Sequence, residues 1–289
     1  MMATASILRS LLAFMSVAFF SRALYTRAHI VPALYVFGDS FVDAGNNNFL
    51  NTFAKTNFTP YGIDLYGKLP LGRATNGLTY ADFIGIIVSL VLLPFLVLKG
   101  MKTKFPFSRK RSCKRSIWGK KHDIASYTKL LVHSLAAKVE RMAKLGAKKF
   151  VVRGMPLINC RSPFYKEIEQ QCKELGKEII PSYNAHLVKS LDRLTAKHGI
   201  LYTIIVPEKV EINAVGMEIG SKFIDEPCCK INEFGGCIKD SEPCKDRDDY
   251  VYFDAGHPTQ VYHKFVADHC FDGNSGTCKP YSILELSAK

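Results

Sequence analysis

Short apolar runs that stop at glycine or proline constrain the fold of this chain more than any other feature. Three such runs, at 33–37, 149–152 and 201–206, have the length and the apolar content of buried strands. The first run ends at Gly38 and leads into a polar stretch rich in Gly and Asn. A strand that runs into a loop is a common place for a reactive side chain.

Helical patterns separate these predicted strands. An apolar stripe with spacings of four, four and three predicts a helix that ends near Gly146. A second helical pattern covers 165–197, and we predict a break in it at Pro181. Strands that alternate with helices of this length predict an α/β domain with a mainly parallel sheet. The residues of the apolar stripe are Leu131, Leu135, Val139 and Met142.

The positive charge of the chain is concentrated in one segment. The net charge is +13, from 39 Lys and Arg against 26 Asp and Glu. Residues 99–121 contain ten of the basic residues and no acidic residue, so 39 minus 10 leaves 29 basic against 26 acidic elsewhere. The basic character thus belongs to one segment and not to the domain, and we predict no nucleic-acid partner. An alternative of another class is a basic binding module for acidic surfaces, which only residues 99–121 support.

The N-terminus has the pattern of a secretory signal peptide over residues 1–23. Arg9 precedes an apolar run at 11–20, and the small residues Ser21 and Ala23 follow at cleavage-site spacing. The alternative, a membrane anchor, is disfavoured because a run of ten residues, apolar except for Ser16, is too short to span a bilayer. The prediction is a secreted, extracellular protein.

The cysteines fit an oxidising compartment. Setting aside Cys113, which lies in the basic segment, leaves eight of the nine, an even number suited to disulfides of undetermined connectivity. A zinc site is the alternative, but no CxxC pair occurs, so we predict no metal. Asn57-Phe58-Thr59 is a predicted glycosylation site.

Ser40, Asp254 and His257 are the candidate catalytic residues. Ser40 follows the first predicted strand, and a serine hydroxyl needs a base to become a nucleophile. In Asp254-Ala255-Gly256-His257 the Asp can reach the His ring within one turn, fix its tautomer and stabilise the imidazolium. The fold would have to bring Ser40 and His257 together across 217 residues.

The surrounding motifs resemble the plant GDSL esterase/lipase branch of the SGNH hydrolases, in the order in which that family carries them. The resemblance covers about 33–85 and 124–272, with Phe41 at the position of the Leu in the family's name. The matching motifs are Gly-Asp-Ser-Phe-Val-Asp-Ala-Gly-Asn-Asn-Asn at 38–48, Gly-Arg-Ala-Thr-Asn-Gly at 72–77 with Ala-Asp-Phe at 81–83, the strand entry at 145–152, the pair Cys228-Cys229, and the run 250–258.

This resemblance implies a three-layer α/β/α, flavodoxin-like fold with a parallel sheet and a Ser-His-Asp ester hydrolase. Ser40 would attack the ester carbonyl, His257 would act as base and then acid, and Asp254 would orient His257. The backbone N–H of Ser40 would donate one oxyanion hydrogen bond. The implied substrate is a small ester or a lipid, and no cofactor is implied.

Two motifs of the family have no counterpart between its second block and the long helix. The family takes two further oxyanion donors from a Gly block and a Gly-x-Asn-Asp block, and nothing in 86–123 matches either. Loss of one donor typically costs about 2.7 to 4 kcal/mol of transition-state stabilisation. The sequence therefore predicts impaired activity and a sheet that is incomplete in its centre. The alternative is a non-catalytic secreted relative that binds lipids or esters.

The segment in that place is apolar and then basic. Residues 83–98 form an uncharged run of sixteen, just under the usual transmembrane length, and 99–121 carry the basic cluster. A membrane span or a nuclear-localisation signal are the alternatives, but a span would separate Ser40 from His257, and a signal peptide is incompatible with nuclear import. We expect no stable membrane span and interpret 86–123 as an unusual splice or gene-model product. The predicted organisation is a signal peptide at 1–23, a hydrolase domain at 31–272 interrupted by 86–123, and a C-terminal tail at 273–289.

Overall fold

The computed structural model describes residues 40–52, 54–87, 124–155, 169–206 and 212–289. The predicted signal peptide, the predicted strand at 33–37 and residues 88–123 lie outside these ranges. The helices are α1 (Tyr80–Ile87), α2 (Ile124–Lys144), α3 (Glu169–His198), α4 (Ile212–Glu218), α5 (Gln260–Phe271) and α6 (Ile283–Ala288), and the strands are β1 (Lys149–Arg153), β2 (Leu201–Ile205), β3 (Phe223–Pro227), β4 (Tyr250–Tyr252) and β5 (Cys278–Lys279).

The strands of the described residues form two small sheets. β1 and β2 pair in parallel from Lys149 with Leu201 to Arg153 with Ile205, and β5 pairs antiparallel on the other side of β2. β3 and β4 form a separate parallel pair. The strands predicted at 149–152 and 201–206 are confirmed, and the fold is α/β.

Helices cover both faces of the β1–β2 pair. Phe150, Val152 and Ile204 alternate along the strands toward a core shared with α2 and α3. Ile205 belongs instead to a second core, and Val151 packs against that core. Period-two alternation of this kind is expected of strands that are buried on both faces. The second core is formed mainly by α1, α4, α5, β4 and the start of α6.

The helix predicted to end near Gly146 is α2, which ends at Lys144. Gly146 has a φ of +103° and donates its N–H to the carbonyl of Ala143 at 3.0 Å, so it closes the helix in the left-handed conformation that glycine tolerates. Val139 from the predicted stripe is buried, and the other three stripe residues are partly buried against the same core.

The predicted break at Pro181 is wrong. α3 continues from Glu169 to His198 through Pro181, whose ring is exposed to solvent. The neighbouring residues Ile180, Tyr183 and Leu187 are buried, and the latter two pack on α2 and the sheet. Packing on both sides of the proline therefore outweighs its intrinsic cost in a helix.

Residues 273–289, which the sequence analysis sets apart as a tail, contribute β5 and α6. Ser282 caps α6 in a reciprocal capping box with Glu285, and Ile283 and Leu286 are buried. This segment packs on the β1–β2 sheet and on α5.

Three disulfides join described cysteines: Cys228–Cys244, Cys229–Cys237 and Cys270–Cys278. Cys113 and Cys160 lie outside the described residues. Within the described ranges no helix has the length and apolar character needed to cross a membrane.

Candidate active site

The residues after β4 form a tight turn that carries two of the candidate catalytic residues. The N–H of Phe253 donates to the carbonyl of His257 at 2.8 Å, and the N–H of Thr259 donates to the carbonyl of Val251 at 2.9 Å. The ring of Phe253 is fully buried and anchors the turn in the core. Asp254 and His257 are thereby held on one short loop between β4 and α5.

Asp254 and His257 are hydrogen-bonded within this turn. The two carboxylate oxygens of Asp254 lie 2.9 Å and 2.8 Å from Nδ1 of His257. Oδ1 also accepts the backbone N–H groups of Gly256 and His257, each at 2.8 Å. Asp254 is buried, with 1% of its surface exposed, so these bonds fix both the position of the carboxylate and the orientation of the imidazole.

The other ring nitrogen of His257 faces Ser40. Nε2 of His257 lies 2.7 Å from Oγ of Ser40, across a sequence separation of 217 residues. A base within this distance of a hydroxyl can accept its proton. The structure thus brings together all three residues that the sequence analysis singled out.

The loop that follows Ser40 is held by Asp43 and Val42. The Asp43 carboxylate accepts the backbone N–H groups of Gly45 at 2.9 Å and of Asn46 at 2.6 Å, at the start of a short 3-10 helix, Asn46–Phe49. Val42 is 1% exposed and packs in the second core. The polar stretch after Ser40 is therefore a structured loop with a fixed path.

The charge of Asp254 is stabilised despite complete burial. Burial alone would raise the pKa of Asp254, but His257, the N–H of Gly256 and the hydroxyl of Tyr61 together hold the pKa of Asp254 below its ordinary value. Asp254 is consequently a carboxylate at neutral pH. A carboxylate at Nδ1 of His257 favours the proton on that nitrogen, so that Nε2 is the ring nitrogen that can accept the hydrogen bond from the Ser40 hydroxyl.

Tyr61 belongs to the site, although the sequence analysis did not identify it. Its hydroxyl donates to Oδ2 of Asp254 at 2.7 Å and accepts the backbone N–H of Cys237 at 3.0 Å. Burial, and then the nearby charge of Asp254, raise the pKa of Tyr61, so the phenol is a donor at all ordinary pH values. The two hydrogen-bonded side chains are 193 residues apart, and no local pattern links them.

A buried histidine and an arginine lie beside the triad residues. The guanidinium of Arg153, at the end of β1, sits 4.4 Å above the ring of Phe41, the neighbour of Ser40. The ring of Phe41 lies 5.9 Å from that of His257 and 6.0 Å from that of His263. Burial and then the charge of Arg153 lower the pKa of His263 to about 3, so His263 is neutral at physiological pH.

Three other predictions concern the glycosylation site, the oxyanion motifs and the absence of a metal site. Asn57 of the predicted glycosylation site is exposed, and the hydroxyl of Thr59 donates to Asp240. Residues 88–123, which span nearly all of the segment without the two oxyanion motifs, lie outside the described residues. In the part of the chain that the structure describes, no three His, Cys, Asp or Glu residues cluster as metal ligands would.

Known proteins with similar sequences are ester hydrolases by name. The chain is 28% identical to GDSL esterase/lipase At5g08460 of Arabidopsis thaliana, over 89% of this chain and 87% of the relative. It is 27% identical to GDSL esterase/lipase At1g71691, over 92% and 88%, and 25% identical to GDSL esterase/lipase 7, over 89% and 92%, both also of Arabidopsis thaliana. No protein-family model matches the chain.

An α/β fold in which a serine, a histidine and an aspartate follow one another in hydrogen-bonded order has the arrangement of the serine hydrolases. The similar proteins align along nearly the whole chain, and by name they are one kind of hydrolase, the GDSL esterase/lipases. Along nearly its whole length the chain is therefore similar to plant GDSL esterase/lipases.

Proposed function

We propose that this protein is a secreted serine hydrolase that cleaves carboxylic esters of small molecules or lipids, with Ser40 as nucleophile, His257 as base and Asp254 as the residue that orients the base. One observation carries the proposal: the continuous contact from Asp254 to Nδ1 of His257 at 2.8 Å and from Nε2 of His257 to Oγ of Ser40 at 2.7 Å. The names of the relatives support the ester as the bond that is cleaved.

The reaction would proceed in two halves. Nε2 of His257 takes the hydroxyl proton of Ser40 as Oγ attacks the ester carbonyl, and the imidazolium that forms is stabilised by Asp254. His257 then donates that proton to the leaving alkoxide, which departs as the alcohol and leaves an acyl group on Ser40. In the second half His257 takes a proton from water, the hydroxide attacks the acyl group, and the carboxylic acid leaves as the proton returns to Ser40.

The rate of this reaction depends on hydrogen-bond donors that stabilise the oxyanion formed when Ser40 attacks the carbonyl. The proposed donor on the described residues is the backbone N–H of Ser40. Each missing donor costs about 2.7 to 4 kcal/mol, so two missing donors slow turnover by several orders of magnitude. We therefore expect a slow enzyme in which the nucleophile is formed but the transition state is under-stabilised.

A second candidate function follows from the same gap. A chain without the Gly and Gly-x-Asn-Asp motifs in 86–123 could retain an ester-binding or lipid-binding surface without turnover. In that case Ser40 would still contact His257, but the bound ester would persist. Turnover distinguishes the two candidates.

The proposed cellular context is extracellular. We propose a signal peptide at 1–23, a hydrolase domain at 31–272 interrupted by 86–123, a C-terminal segment at 273–289, and a glycan on Asn57. The three disulfides among described cysteines support an oxidising compartment. Asn57 is exposed, as a glycan would require.

The test is hydrolysis of a short-chain chromogenic ester by the purified protein, secreted from a eukaryotic host so that its disulfides form. We expect slow turnover in the parent and background turnover in Ser40→Ala, whose circular dichroism should match the parent because only one hydroxyl oxygen is removed. Equal rates in the two proteins would contradict the role of Ser40. A folded parent that binds the ester without hydrolysing it would support the second candidate.

A further inference from the structure

We propose that Tyr61 is a positioning residue of the reaction: its hydroxyl holds the Asp254 carboxylate in the orientation in which it supports His257. The inference rests on the proposed function, because it assigns Tyr61 a part in the same Ser40-dependent ester hydrolysis. It is carried by the geometry around Asp254 and by the way in which Tyr61 is itself fixed.

Tyr61 completes the set of donors around the two carboxylate oxygens. Oδ1 of Asp254 accepts the backbone N–H groups of Gly256 and His257 at 2.8 Å each. Oδ2 lies 2.8 Å from Nδ1 of His257 and accepts the Tyr61 hydroxyl at 2.7 Å. With a donor from Tyr61 on Oδ2 and two from the turn on Oδ1, the carboxylate cannot rotate about its Cβ–Cγ bond without losing a hydrogen bond.

Tyr61 can restrain the carboxylate because several contacts fix the position of Tyr61 itself. Its side chain is 1% exposed, and its ring makes edge contacts with Phe58 at 5.3 Å and Phe253 at 5.6 Å between centroids. Its hydroxyl oxygen accepts the N–H of Cys237 at 3.0 Å. These contacts leave the phenol one orientation in which both of its hydrogen bonds are made.

The same contacts join Tyr61 to a disulfide loop that supports the catalytic turn. Cys237 is bonded to Cys229, and the N–H of Ala255, next to Asp254, donates to the carbonyl of Gly235 at 2.9 Å. The loop therefore contacts both Tyr61 and the turn that carries Asp254. Tyr61 lies between them, and its hydroxyl is the atom that links the loop to the carboxylate.

A hydrogen bond from Tyr61 also has an electrostatic effect on the base. It stabilises the negative charge of Asp254, and this weakens the hold of the carboxylate on the protonated imidazole of His257. When this donor is lost, His257 stays protonated to a higher pH, and the active neutral imidazole forms later in a titration. Among the described residues, Ser40 contacts Nε2 of His257, and His263 interacts electrostatically with His257 and with Arg153. None of these is changed by a substitution at Tyr61.

The first test is the pH dependence of kcat/KM in Tyr61→Phe. We expect kcat to fall about ten- to a hundredfold, the effect of losing a hydrogen bond to a charged group, with a smaller change in KM. We also expect the acid limb of kcat/KM to move up by about half to one pH unit. Tyr66→Phe is the matched control because the Tyr66 side chain is fully exposed on a neighbouring loop, and its profile should equal that of the parent.

Two further measurements test the inference, and the first of them does not depend on a folded Tyr61→Phe protein. Replacing Tyr61 by 3-fluorotyrosine retains both hydrogen bonds and makes the phenol a stronger donor, so the acid limb should move to lower pH. A double-mutant cycle with Asp254→Asn should show that most of the effect of Tyr61→Phe disappears once the carboxylate is gone.

Three results would overturn the inference. A folded Tyr61→Phe protein with the acid limb of the parent, a 3-fluorotyrosine protein with no shift, or an undiminished effect in the Asp254→Asn background would each show a role in stability alone. These results leave Ser40-dependent hydrolysis intact. A parent without Ser40-dependent hydrolysis would instead contradict the proposed function, and this inference with it.

Discussion

Single carboxylates deep in this protein keep their charge because each has several donors. Asp82 is 1% exposed and accepts Nε and Nη2 of Arg73 at 2.8 Å and 2.6 Å, together with the N–H and hydroxyl of Thr79 at 2.8 Å and 2.7 Å. Burial alone would raise the pKa of Asp82, but these hydrogen bonds and the Arg73 charge hold it below its usual value. The ion pair fixes the start of α1 against the segment at 72–79.

Because the pKa of Asp82 is lower in the folded than in the unfolded chain, its contribution to stability is complete above about pH 4, the ordinary range for Asp, and is lost as pH falls through the folded pKa. Asp82→Asn leaves the Arg73 guanidinium buried without its anion. We expect the free energy of unfolding at pH 7 to fall by about 3 to 5 kcal/mol. Its decline in acid should also become shallower than in the parent.

Urea unfolding at pH 7 and pH 3 measures both effects. Asp268→Asn is the matched control, because Asp268 forms an exposed ion pair with Lys264 within one helix and should contribute little. If Asp82→Asn and Asp268→Asn unfolded alike, the buried ion pair would not have the role assigned to it.

At the scale of elements, local patterns predict the long pieces and miss the short ones. α2, β1 and β2 follow from apolar periodicity because each buries a regular stripe. β3 has no buried residue, and β5 is only two residues long, so neither strand has an apolar alternation that could be recognised in the sequence. The unbroken course of α3 depends on packing around Pro181, which the sequence does not display.

Replacing Pro181 tests how much this proline destabilises α3. A proline inside a helix removes one backbone hydrogen bond and is about 3 kcal/mol less favourable than alanine. Pro181→Ala should remove this cost from the folded state, but part of the gain in stability is offset because the substitution makes the unfolded chain more flexible. We expect Pro181→Ala to raise the free energy of unfolding by about 1 to 3 kcal/mol.

Thermal and urea unfolding would show this gain, with Lys189→Ala as the control at an exposed position of the same helix that should change stability little. Unchanged or reduced stability in Pro181→Ala would mean that α3 is already bent at this point in a way that suits proline.

At the scale of the whole molecule, the site depends on contacts between distant parts of the chain. The sequence predicts Ser40, Asp254 and His257 as site residues because their motifs occur in the order of a known family, and in the structure these residues contact one another. The contact of Tyr61 with Asp254 could not, because it joins residues 193 apart through a fold that must exist first. The disulfide partners are likewise settled by the fold, since an even number of cysteines allows many pairings.

The basic segment bears on turnover rather than on the nucleophile. Of the 39 basic residues, ten fall in 99–121, within the segment 86–123 in which the sequence predicts the loss of two oxyanion donors. Formation of the Ser40 to His257 contact does not require those donors, whereas stabilisation of the tetrahedral intermediate does. A test of the central claim should therefore detect the activated serine directly and should not depend on a fast complete cycle.

That measurement is mass spectrometry of the folded, disulfide-intact protein after reaction with a fluorophosphonate, which forms a stable bond with an activated serine and releases fluoride. The account predicts one adduct, on the peptide that contains Ser40, absent in Ser40→Ala and formed much more slowly in His257→Ala. A folded parent that gains no adduct, or an adduct that persists unchanged in Ser40→Ala, would contradict the assignment of Ser40 as the nucleophile.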